Sequence, residues 1–271
     1  MCSRLKRVVF VSFCVAVLCL TVSAGTVSAY KEGYKHVSYV LKNAVILDGK
    51  WTNATEWGEG YPTSFGTNAS FRNKWEGISI EPPDVWEYIM VESLDSTDDA
   101  GDFWQICLDC AFDNASAPQA DDLMLNITGH TNASWFVGNG TGWVPTSTPS
   151  NVTWSNAKDA SPTISAQHWV LELRFERLTL GMGAYFAMRV AVYDAHAGGF
   201  GLQAWPPTSA DVPNDWGLID FEVLHNIPEG LSFATVAALM SVAVVTGSIC
   251  LRRRKKVASR QQTQRVSPRR L

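Results

Sequence analysis

Trp169-Val170-Leu171-Glu172-Leu173-Arg174-Phe175-Glu176 alternates without a break. Trp169, Leu171, Leu173 and Phe175 fall on one face, and Val170, Glu172, Arg174 and Glu176 on the other. A period of two marks a strand with one face buried. The reading extends outward from there. Residues 185–193 set Phe186, Met188, Val190 and Val192 against Arg189. Residues 122–128 alternate Leu123, Leu125 and Ile127 with Met124, Asn126 and Thr128. Residues 86–94 and 103–110 are apolar runs rich in aromatic and β-branched side chains, separated by turn chemistry at 95–102. Residues 37–47 read as a further strand, and 134–137 and 152–154 as short ones. No long 3.6-residue period occurs between Tyr30 and Glu229. The fold expected is all-β, about seven to nine strands in one β-sandwich over residues 30–226.

Charge is segregated along the 271 residues. From Tyr30 to Glu229 there are 26 acids and ten Lys or Arg, a net of −16. Such a block repels phosphates, so nucleic acid is not an expected partner. Arg4, Lys6 and Arg7 precede an apolar run, and Val27-Ser28-Ala29 fits a cleavage site before Tyr30. Residues 1–29 therefore read as a secretory signal peptide, with Val22-Ser23-Ala24 an alternative cut and an uncleaved anchor the other reading. Leu231 to Leu251 contains no charge in 21 residues and is followed by Arg252-Arg253-Arg254-Lys255-Lys256. That length crosses a hydrocarbon core of about 30 Å, and the basic flank stays inside. Residues 227–251 are the expected membrane anchor with its short linker, and 252–271 a basic cytoplasmic tail that holds anionic lipid. The expected location is the cell membrane, single-pass, with the N-terminal domain outside.

Only Cys107 and Cys110 lie in the exported block. Positions three apart on a straight strand are about 10 Å apart on opposite faces, so a disulfide requires a turn at Leu108-Asp109. A structural disulfide and free thiols both stand as readings; without a βαβ pattern around the pair, redox catalysis is weakly supported. Sequons for N-glycosylation occur at Asn53, Asn68, Asn114, Asn126, Asn132, Asn139 and Asn151.

Three pieces carry a resemblance. Asp48-Gly49-Lys50-Trp51, running to Glu56-Trp57, resembles the opening of family 9-like carbohydrate-binding modules and their DOMON-type relatives. Gly101-Asp102-Phe103-Trp104 through Leu108-Asp109 is similar to a "GD…lD" strand of that superfamily, and Trp216-Gly217-Leu218-Ile219-Asp220-Phe221 to its closing strand. Leader, module, span and basic tail together resemble archaeal surface proteins. The resemblance implies a jelly-roll-like sandwich that binds a ligand; a jelly-roll or immunoglobulin-like β-sandwich is the expectation, and fold alone does not name the ligand.

The candidate chemistry follows. Asp95, Asp98, Asp99 and Asp102 cluster within one turn and suit a hard cation such as Ca²⁺, although the spacing is not that of an EF-hand; capping of the turn by the same side chains is the alternative. Trp135, Trp143, Trp154 and Trp205 lie among Gly, Asn, Pro and Thr and are expected to be exposed, where an indole can stack on a sugar ring. Trp86 and Trp169 sit in strand patterns and are expected in the core. DOMON-type relatives can ligate haem with Met and His, and Met90, Met124, Met182, Met188, His130 and His168 supply the atoms; core filling by the methionines is the simpler reading. Neither G-x-S-x-G, H-E-x-x-H nor a P-loop is present. The expected function is a non-catalytic, surface-anchored module for carbohydrate or another extracellular ligand. A haem redox domain and a structural surface-layer component are the alternatives.

Overall fold

The computed structural model describes residues 30–77 and 85–221. The leader, the span and the basic tail read from the sequence lie outside these residues.

Thirteen strands occur among the described residues, with one short 3-10 turn at Pro213–Asp215. They are β1 (Lys35–Val40), β2 (Thr63–Phe65), β3 (Ala69–Glu76), β4 (Trp86–Ser93), β5 (Phe103–Asp109), β6 (Asp122–Thr128), β7 (Asn132–Gly138), β8 (Trp143–Thr146), β9 (Val152–Asp159), β10 (His168–Glu176), β11 (Phe186–Asp194), β12 (Gly201–Trp205) and β13 (Gly217–Phe221).

Two sheets result. The first runs β8-β7-β6-β5-β11, and the far edge of β11 is then shared: Phe186 to Met188 pair with β13 and Val190 to Asp194 with β12. The second runs β9-β10-β4-β3, with β2 on part of the free edge of β3. β1 serves both. Its Lys35 to Ser38 pair in parallel with β13, and its Tyr39 and Val40 pair in parallel with β3. The inward faces make one core. Ile89, Val91, Leu171, Leu173 and Phe175 of the second sheet meet Trp104, Ile106, Leu125, Ile127, Met188 and Val190 of the first. Two sheets closed on a single apolar layer form a β-sandwich.

The alternation in β10 faces as the sequence predicts: Leu171, Leu173 and Phe175 are in this core. The opposite face is not solvated, however. Val170 and Glu172 are fully buried because residues 41–61 lie over them. Trp51 and Trp57 pack there on Tyr88, Met90 and Val170. The Glu172 carboxylate accepts the backbone N–H groups of Asp48 and Gly49 and the Trp57 indole N–H, at 3.0, 2.8 and 2.8 Å. Arg72 lies 4.8 Å from the Trp51 ring centre, and Lys74 lies 5.3 Å from that of Trp57 while donating to Glu56 O and Glu59. Gly49 takes φ +79°, and a Cβ there would sit 2.3 Å from the backbone carbonyl carbon of Asn156. The Asp-Gly…Glu-Trp segment is thus a cap on the second sheet. This cap also corrects the strand expected over 37–47: β1 ends at Val40, and Leu41 and Val45 pack into the capping cluster instead.

Candidate functional site

With the second sheet capped, the outer face of the first decides what the domain can touch. Half of that face is covered too. Residues 206–216 fold over it, and Arg189 of β11 donates from Nε to Ser209 O and Oγ at 3.2 and 3.0 Å and pairs with Asp211 at 3.2 Å. Trp143 donates to Asp211 O and stacks with Trp216, ring centres 6.2 Å apart. Cys107, Met124, Ala187 and Trp216 are buried beneath.

The other half is open, and the strand registers give its rows. Phe103 stands between Thr128 of β6 and Tyr193 of β11, and Tyr193 stands opposite Leu202 of β12. The Phe103 and Tyr193 rings are stacked, centres 5.2 Å apart and planes 17° apart. Tyr193 is 36% exposed and Leu202 56%. The next row reads Ser134, Asn126, Gln105, Ala191 and Ala204. In this row Ser134 is exposed, Asn126, Gln105 and Ala204 are half-buried, and Ala191 is fully buried. Gln105 is held from below: its Oε1 accepts from Arg189, and its Nε2 contacts Met124 Sδ at 3.2 Å. Asn126 Oδ1 is buried with no hydrogen-bond partner. Aromatic faces beside fixed amides suit a neutral ligand that has both apolar patches and hydroxyls.

The acidic turn lies at the rim of this face. Asp95, Asp102 and His130 converge there, all buried, with one ligand atom from each within 4.8 Å of the others. Their bonds are internal. Asp95 accepts from Thr97 N and Oγ1 at 2.7 and 2.6 Å, and Asp102 accepts from Asp99 N and Ala195 N, each at 2.8 Å. Trp104 donates to His130 Nδ1 at 3.2 Å, so the ring proton sits on Nε2 and faces Asp102 at 3.2 Å. The His130 ring lies flat on Trp169, centres 3.7 Å apart. Burial raises the Asp95 carboxyl. Burial also works to raise Asp102, but the N–H groups of Ala195 and Asp99 and the His130 ring outweigh it and hold the group below its ordinary value. Of the other two acids read as ligands, Asp98 is exposed and Asp99 pairs with His196 at 3.1 Å. The turn brings together Asp95 and Asp102 and sends the other two elsewhere.

The tryptophan expectation needs correction. Trp135 and Trp205 are each only 4% exposed and belong to the main core. Trp154 packs against that core, and Trp143 is half-buried against Trp216. Flanking Gly, Asn and Thr do not set strand parity: Trp135 pairs with inward Leu125, and Trp205 pairs with inward Val190 and lies 4.9 Å from the Phe71 ring. Trp169, read as core, is half-buried beneath His130, and Trp86 is half-buried with Arg174 4.2 Å from its ring centre.

The disulfide reading is also corrected. Cys107 and Cys110 are free and buried, Cys107 under the 206–216 segment and Cys110 in the main core. β5 stays straight through Asp109, so the two thiols take opposite faces. Met90, Met124, Met182 and Met188 fall in three separate clusters. His168 is engaged by Ala166 O at 2.9 Å and Glu92 at 3.2 Å. Among the sequon asparagines, Asn53, Asn132, Asn139 and Asn151 are exposed and Asn68, Asn114 and Asn126 half-buried.

Sequence reasoning missed Phe103, Tyr193 and Gln105 as a site. The signal was present: Phe103 is out of phase with Trp104, Ile106 and Leu108, and Tyr193 with Val190 and Val192. An aromatic on the polar phase of a strand faces outward.

The fold can be set beside known proteins at this point. No family model matches the chain, and no curated protein does. Solved structures do. The chain is similar to a family 9 carbohydrate-binding module from Caldicellulosiruptor kristjanssonii in complex with glucose, at 17% identity and a TM-score of 0.45, over 69% of this chain and 95% of that one. It is likewise similar to a module of the same family and organism in complex with cellotriose, at 16% identity and a TM-score of 0.45, over 69% and 93%. Those sugars belong to those proteins.

Proposed function

We propose that the sandwich is a non-catalytic carbohydrate-binding module, held at the outer surface of a membrane by residues 231–251. The observation that carries the reading is the open half of the first sheet, where the stacked Phe103 and Tyr193 rings lie beside Gln105, Asn126 and Ser134. The apolar face of a pyranose fits an aromatic ring, and its hydroxyls match amides, which donate and accept at once. The aromatic row crosses four strands, β6, β5, β11 and β12, about 14 Å at the usual strand spacing, room for one or two sugar rings. The net charge of −16 on the exported block disfavours acidic polysaccharides, so the ligand class is neutral.

Anchoring rests on the uncharged 21-residue segment and the five basic residues after it. Protease added to intact cells should remove the domain and leave the tail protected. Detection of the tail by antibody on unpermeabilised cells contradicts this topology. Ligand binding is tested with an array of neutral oligosaccharides probed with the purified full-length protein in detergent. Hits that weaken in Tyr193→Ala support the assignment, and an array without hits contradicts it.

A further inference from the structure

A second group of carboxylates lies away from the acidic turn and outside the ligand face. Asp109 closes β5 and Asp122 opens β6, and the register places them directly opposite each other. With Asp121 they bring one oxygen each to within 4.8 Å of the others. Asp109 and Asp122 are fully buried. Each spends one oxygen on the 110–121 loop: Asp109 Oδ1 accepts Phe112 N at 2.6 Å, and Asp122 Oδ2 accepts Gln119 N at 2.6 Å. Each leaves the other, Asp109 Oδ2 and Asp122 Oδ1, buried with no hydrogen-bond partner. Asp121 Oδ2 accepts Ala111 N at 3.1 Å and ties the loop to the same point.

Two buried carboxylates with unpartnered oxygens, clustered with a third acid, call for a cation or a proton, because an isolated buried anion is among the costliest groups a fold can hold. The charged neighbours that act on them most strongly are again acids: Asp113 then Asp121 on Asp109, and Asp109 then Asp121 on Asp122. Burial, reinforced by those acids, pushes Asp109 up to about 6 and Asp122 up to about 8. The contrast with the acidic turn is direct. There Asp102 is met by two backbone N–H groups and a histidine, whereas here each buried acid keeps one oxygen without a hydrogen-bond partner.

We infer that Asp109, Asp121 and Asp122 form a binding site for a hard divalent cation, Ca²⁺, that pins the 110–121 loop to the sheet. The donor set is oxygen only, which excludes a preference for soft metals. Three carboxylate oxygens within 4.8 Å of one another can share one Ca²⁺, which takes oxygens at about 2.3–2.6 Å in flexible geometry, whereas Mg²⁺ demands near-ideal octahedral geometry. Water and loop carbonyls complete the shell. The site is independent of the ligand face.

The test uses the full-length protein in detergent, stripped with chelator and titrated with CaCl₂ alone. Ca²⁺ should raise the melting temperature by several degrees, and Mg²⁺ should do less. Asp122→Asn should abolish the Ca²⁺ response. Asp121→Asn, at a half-buried position that folding tolerates more readily, should weaken Ca²⁺ binding measured by equilibrium dialysis by about tenfold or more, since affinity follows ligand charge. Absence of bound Ca²⁺ at millimolar concentration overturns the inference and leaves the three acids sharing protons. A response kept in Asp121→Asn and Asp122→Asn but lost in Asp95→Asn with Asp102→Asn also overturns it, and moves the ion to the acidic turn.

Discussion

Phe103 and Tyr193 stand opposite one another on adjacent antiparallel strands, their rings 5.2 Å apart and nearly parallel. The residues that flank them in sequence, Trp104 and Val192, are buried in the core. Fixed backbone on one side and packed neighbours below hold the two rings where a ligand would meet them. An aromatic pair costs little entropy to use once its strands are set.

Glu87 offers a test of the interior. It is fully buried, accepts from Ser38 Oγ at 2.5 Å and Asn73 Nδ2 at 2.9 Å, and burial pushes it up to about 8. An unfolded glutamate loses its proton near 4.5. Between about pH 4.5 and 8 the unfolded chain has therefore released a proton that the native state keeps, so this group lowers stability as pH rises. Glu172, raised to about 7 mainly by burial, slopes the same way. Glu87→Gln keeps the two accepted bonds without the ionisation. It should raise the melting temperature at pH 8 and flatten its decline between pH 5 and 8. Equal pH dependence in variant and wild type contradicts the assignment.

Gly49→Ala should loosen the cap on the second sheet. The added Cβ meets Asn156 backbone at 2.3 Å and forces an alanine to φ +79°. Strain of this kind costs about 1–3 kcal/mol. Thermal unfolding should show a drop of several degrees, and a change within error contradicts the contact.

The thiols should behave as free and inert. Burial pushes Cys107 up to about 12 and Cys110 well above the ordinary thiol range. Mass spectrometry after alkylation should find both unmodified in the native protein and both modified after denaturation without reductant. A peptide in which the two remain linked contradicts this.

Much of the fold was legible in residues 122–128, 169–176 and 185–193, because each carries its main apolar set on one phase, and in 86–94 and 103–110, which are apolar runs separated by turn chemistry. β3 was not, since Phe71, Asn73 and Trp75 alternate with Arg72 and Lys74, and those charges are buried only because the capping segment supplies Trp51, Trp57 and Glu59 from far away in sequence. The site was hidden for a related reason. A row such as Thr128-Phe103-Tyr193-Leu202 draws on four strands and exists only once their registers are known. The Asp109–Asp122 pairing likewise needs the β5–β6 register, whereas the acidic turn at 95–102 attracts attention because its acids are close in sequence.

The central claim is most directly tested by titrating the strongest array ligand into wild-type and Tyr193→Ala full-length protein by calorimetry, with melting curves as the control for folding. Loss of one stacking ring should cost about 0.5–1.5 kcal/mol, a roughly two- to twelvefold weaker affinity, and Phe103→Ala should compound it, while Trp143→Ala on the covered half should bind as wild type does. Unchanged affinity in folded Tyr193→Ala and Phe103→Ala would contradict the account and place the ligand elsewhere on the molecule.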